Sequence, residues 1–144
     1  MDRFVFWQRW LFGVGLYLAI FGAVLAFFPH SALIDWAFND RINPLFNLSS
    51  ESLRFQAWIY GVLGATMGGW GVMIAFMAHF PFRRKEPWAW NGLVTALSFW
   101  FIVDQIISGY HGVIFNVVFN TLLYTVLILP LLMTRRFFYP KGSL

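Results

Sequence analysis

Asp104, Gln105, Tyr110, His111, Asn116 and Asn120 are the residues of this sequence whose types and spacing could do chemistry. Asp104 is the one carboxylate inside a long apolar stretch, where an ionisable group is costly and usually faces the protein interior. With His111 in the turn above it, Asp104 makes a proton-transfer pair by residue type. Asn116 and Asn120, four apart, fall on one helical face, and a reversal at residues 109–112 sets Asn116 at the depth of Asp104, with Asn120 a turn deeper. A cluster of that height suits a headgroup or another polar substituent, with aromatic and aliphatic walls to meet an apolar tail. A ligand-binding cluster is therefore expected here. A plainer role stays open beside it. Hydrogen bonds between helices, about 0.6 kcal/mol each, would fix helix rotation, and Asp104 would be solvated near the surface or cap the reversal. Asn91, Thr95 and Ser98 extend the polar face of the third apolar run, and Tyr124 that of the fourth.

Other chemistries are poorly served. The absence of cysteine removes disulfides, thiolate nucleophiles and iron–sulfur ligation. His30, Asp35, Asp40, Asp104 and His111 have metal-ligating atoms but no dedicated ligand spacing, and pairing His30 with His111 on a haem has nothing further to support it, so neither a metal nor a cofactor is expected. Gly13 and Gly15 lack the third glycine and the preceding strand of a phosphate-binding loop. Asn47-Leu48-Ser49 matches a glycosylation acceptor, a three-residue pattern too common to carry weight.

The elements that must position the cluster follow from composition. With 144 residues, 60% hydrophobic and 11% charged, the chain lies far from a soluble domain's mix, and a bilayer core of about 30 Å takes about 20 helical residues per crossing. Four apolar runs meet that length: about 10–28, 53–79, 88–108 and 113–134. The expected fold is all-α, one integral domain over 1–144, a four-transmembrane-helix bundle. The first run is read as a retained anchor because no small-x-small cleavage site follows it. Asn47, Ser49, Ser50 and Glu51 suit the start of the second helix, and Pro87 the first turn of the third.

The net charge of +4 does not indicate nucleic acid, because the basic residues sit at the ends of apolar runs instead of on one exposed face. Eight of the ten lie in three places: Arg3 and Arg9; Arg83, Arg84 and Lys85; Arg135, Arg136 and Lys141. The positive-inside bias then puts both termini and the second loop in the cytoplasm. Trp7, Trp10, Trp88, Trp90, Phe137 and Tyr139 are expected as anchors at that interface, and Trp36, Trp58, Tyr60 and Tyr110 at the other.

Small residues predict the packing. Ala57, Gly61, Gly64, Ala65, Gly68, Gly71 and Ala75 form a stripe on the second helix that matches Gly15, Ala19, Gly22 and Ala26 on the first. In the first loop, Ser31 can cap a short interfacial helix through Phe38, before Asn39, Asp40, Asn43 and Pro44 supply turn chemistry and Leu45 and Phe46 dip back.

Phe21-Gly22, Phe28-Pro29 and Tyr60-Gly61-x-x-Gly64 resemble the pattern of small bacterial DoxX-like four-helix membrane proteins over the first half of the chain. The resemblance implies the helix count and a bacterial inner membrane, and carries no catalytic or binding residue. Three function classes remain. One is a binding or accessory module for a lipid-like ligand or a partner membrane subunit. The second is an enzyme using Asp104 and His111 for proton transfer on a membrane-soluble substrate. The third is a homo-oligomeric channel or transporter, since four helices alone enclose little pore.

Overall fold

The computed structural model describes residues 2–46 and 49–139, and its regular structure is helical: α1 (Arg3–Phe27), α2 (residues 32–46), α3 (Ser50–His79), α4 (Pro87–Tyr110) and α5 (Ile114–Phe138). Among the described residues, α1, α3, α4 and α5 are long and apolar enough to cross a membrane, so the chain is a multi-pass membrane protein. α1 begins earlier and α5 ends later than their apolar runs. Arg3, Arg9, Arg135 and Arg136 fall within the helices because long basic side chains at span ends reach out to the interface. Asn47, Leu48 and Lys141, which bear on the glycosylation pattern, the helix start and the basic clusters, lie outside the described residues.

The chain forms two compact units, Leu16–Val72 and the combination of Met1–Gly15 with Met73–Leu144. α1 and α3 contribute to both.

Within Leu16–Val72 the small-residue stripes meet. A Cβ built on Gly22 would lie 2.4 Å from the Gly68 backbone nitrogen and 2.6 Å from the Gly64 carbonyl oxygen. One on Gly64 would lie 2.5 Å from both the Gly22 oxygen and the Ala26 nitrogen. Backbones this close are reached only without side chains, and in lipid that approach is a main source of helix association. Gly68 has room for a methyl, its nearest neighbour being the Ala19 oxygen at 3.5 Å, and Ala65 is exposed, outside the seam that its spacing assigned it to.

The first loop departs further from expectation. α2 runs as Ala32–Ile34, a π-helical turn at Asp35–Asn39, and Asp40–Phe46, so the expected turn residues Asn39, Asp40, Asn43 and Pro44 are all helical. Tertiary bonds override their local preference: Asn39 donates to the Pro29 carbonyl at 3.1 Å and Asn43 accepts from Gln56 at 2.7 Å. Ser31 precedes the helix, but its hydroxyl makes no capping bond. Leu33, Trp36, Leu45 and Phe46 are exposed, the face an interfacial helix would offer to lipid.

In the other unit, Pro130 sits inside α5 and has no N–H for the carbonyl of Val126. The Trp10 indole takes up that carbonyl at 3.2 Å, while Trp90 donates to the Leu131 carbonyl at 2.8 Å. These two tryptophans, expected as interfacial anchors, therefore also tie helices together. The Phe4 ring stacks on Phe82 and meets Phe137 and Phe138, with the Lys85 ammonium 5.1 Å from its centroid. This ring cluster gathers the N-terminal, 80–86 and C-terminal basic segments at one place.

Candidate functional site

The site is built on the hairpin of α4 and α5. α4 starts with Pro87, whose fixed φ suits a first turn, and ends at a Schellman motif. Gly112 adopts φ +70°, its N–H bonds to Gly109 O at 3.1 Å, and Val113 N–H bonds to Ser108 O at 2.9 Å. A side chain at 112 would be strained in this left-handed conformation, so the glycine sets the reversal.

That reversal brings Asp104 against α5. Asn116 Nδ2 lies 3.3 Å from Asp104 Oδ2 and 2.8 Å from Ser108 Oγ, and Asn120, one turn deeper, donates its amide to the same Oδ2. Ser108 and Asn120 are buried, while Asp104 and Asn116 are half-buried. Ser108 was not singled out in the sequence. The available signal was its place four residues after Asp104, on the same helical face. Neutral amides hold the carboxylate, and no basic side chain pairs with it among the described residues.

The other three residues lie differently. Gln105 donates to the Val117 carbonyl and the Thr121 hydroxyl, both at 3.1 Å, beside the carboxylate cluster instead of in it. Tyr110 is 85% exposed, with its ring edge-on to His111 at 5.1 Å, and neither bonds to Asp104 among the described residues. The polar face continues along the hairpin, where Ser98 bonds to the Tyr124 hydroxyl at 2.9 Å and Phe101 stacks on the Tyr124 ring at 4.2 Å. At the far end Tyr139 donates to Asn91 at 2.7 Å.

Chemically, the cluster offers one carboxylate, two amides and a hydroxyl within adjacent turns of the hairpin. It can accept hydrogen bonds from a cationic or donor-bearing group and return one through an amide. No three His, Cys, Asp or Glu side chains come together as a metal site of that kind would need, among the described residues. Comparisons of the chain with protein-family models, with curated proteins and with solved structures found no match.

Proposed function

We propose that this protein is a binding or accessory module of a bacterial inner membrane, holding a membrane-soluble ligand or a partner subunit against α4 and α5. The observation that carries this reading is the half-buried Asp104 carboxylate, met by amides of Asn116 and Asn120 and, among the described residues, by no counter-charge. An unpaired carboxylate within a span is costly to keep and marks a functional position by default. α4 also has the largest share of surface left for a neighbour: 17% of its apolar window is buried, against 28% in each of the other three long helices. An occupant with a donor-bearing polar end and an apolar body satisfies both features.

Both termini and residues 80–86 face the cytoplasm in this reading. The positive-inside bias supports it, as does the ring cluster that joins the three basic segments. Size and helix count suit the DoxX-like proteins that the chain resembles. The direct test is purification in lipid nanodiscs with mass spectrometry of whatever stays bound: a stoichiometric lipid-like molecule or subunit supports the module, and a bare chain contradicts it.

A further inference from the structure

The end of the α4–α5 hairpin opposite to Asp104, about 25 Å away by the rise of α4, carries a group of a different kind. It is built on residues 80–86, where Phe82 is fully buried and the backbone closes on itself: Phe82 N–H bonds to Met77 O at 3.0 Å, Lys85 N–H to Phe82 O at 2.9 Å and Glu86 N–H to Pro81 O at 3.1 Å. That path puts Lys85 at φ 60°, and among the described residues no other residue but glycine adopts a positive φ. Glycine fits such a position without strain, so the lysine is kept there at a cost, as side chains with a task are.

The task is legible in where the ammonium goes. Lys85 Nζ lies 5.1 Å from the centre of the Phe4 ring and 5.7 Å from that of Phe137, and Arg136 Cζ lies 4.9 Å from the Phe137 centre. The two rings are 5.3 Å apart. Two full positive charges, from segments distant in sequence, thus converge on one pair of rings, where they repel each other and the rings offset only part of that repulsion. The carboxylates nearest in sequence are engaged elsewhere, Glu86 with Arg84 at 3.8 Å and Asp2 with the Phe4 N–H at 3.0 Å. Among the described residues no ion pair reaches Lys85 or Arg136, and both are exposed. An anion completes this arrangement. The neighbouring surface says of which kind: Leu132 and Met133, one turn before Arg136 on α5, are exposed and apolar, so an acyl chain can run along the helix below the charges.

We propose that Lys85 and Arg136 hold the phosphodiester of an anionic phospholipid, one cation to each of its two unesterified oxygens, with an acyl chain along Leu132 and Met133. Bonds from ammonium and guanidinium to phosphate are charge-assisted, and basic pockets between membrane helices recognise lipid headgroups in this way. The lipid fastens the segment before α4 to the end of α5, independently of whatever occupies the Asp104 cluster.

The test is thermal unfolding of the protein in a neutral detergent with phosphatidylglycerol, phosphatidylcholine or inorganic phosphate added at equal concentration. Phosphatidylglycerol raises the midpoint by a few degrees over phosphatidylcholine, and inorganic phosphate does not. Lys85→Gly, which suits φ 60° and so keeps the fold, removes most of the rise, as does Arg136→Gln. Arg9→Gln retains it, because Arg9 lies in the same basic cluster of the sequence but about 140° round α1 from Phe4. Equal midpoints in the two lipids overturn the site, and an equal rise with inorganic phosphate overturns the lipid as its occupant. A loss with Arg9→Gln as large as that with Lys85→Gly shows diffuse attraction between charges and overturns the site as well.

Discussion

Asn120 on α5 donates its side-chain amide to Asp104 on α4, so the one carboxylate within the apolar runs is held across the hairpin by a neutral partner. Asp104→Leu removes both acceptor oxygens, stranding the Asn120 amide and leaving Asn116 its bond to Ser108 Oγ. It is expected to cost about 1–3 kcal/mol, read as a lowered midpoint of thermal unfolding, while Asp104→Asn retains one acceptor and costs less. Equal midpoints for Asp104→Leu and wild type would show that the contact adds nothing to stability.

The seam between α1 and α3 yields a position-by-position expectation. A methyl on Gly22 or Gly64 meets backbone at 2.4–2.6 Å, whereas one on Gly68 finds its nearest atom at 3.5 Å and one on Gly69 meets nothing within 4 Å. Gly22→Ala and Gly64→Ala should each destabilise by about 1–3 kcal/mol, and Gly68→Ala and Gly69→Ala should be neutral or slightly stabilising. Unfolding in detergent ranks the four. A Gly64→Ala protein as stable as Gly69→Ala would refute the close approach.

Pro130 and Trp10 should be coupled. Trp10→Phe leaves the Val126 carbonyl without its indole donor and is expected to cost about 1 kcal/mol. In a Pro130→Ala background the restored backbone N–H serves that carbonyl, so the same change should cost less. A double-mutant cycle measures the difference, and strict additivity would mean that the indole does not replace the missing donor.

Orientation is open to a direct check. A reporter placed after Phe138 should be read in the cytoplasm and one inserted at Asn43 on the opposite face, as the three basic segments require. Detection of Asn43 on the cytoplasmic side of intact cells would reverse the topology.

Long apolar runs made the four crossing helices legible, because hydropathy over about 20 residues is a strong, local signal. Three- and four-residue spacing likewise exposed the partnership of Gly22 with Gly64. It did not reveal that Ala65 points away from the seam, since a stripe of so many small residues is wider than the line of contact. The helix at 32–46 was half legible: its apolar start was visible, but Asn39, Asn43 and Pro44 read locally as a turn, and only their bonds to Pro29 and Gln56 explain the continued helix. For the candidate site, shared depth grouped Asp104 with Asn116, and the four-residue step added Asn120 a turn deeper on the same face. Depth could not show that Gln105 looks toward Thr121 or that Tyr110 projects outward, because those depend on helix rotation about the hairpin axis.

The most direct measurement compares what co-purifies with wild type, Asp104→Asn and Asn116→Leu, each verified as inserted and helical, by mass spectrometry of the nanodisc-embedded proteins. Wild type should retain a lipid-like molecule or a partner subunit in stoichiometric amount, and both variants should lose most of it, since one lacks the charge and the other an amide that meets it. Equal retention by all three proteins would reduce the Asp104 cluster to a helix-packing contact and contradict the binding role assigned to it.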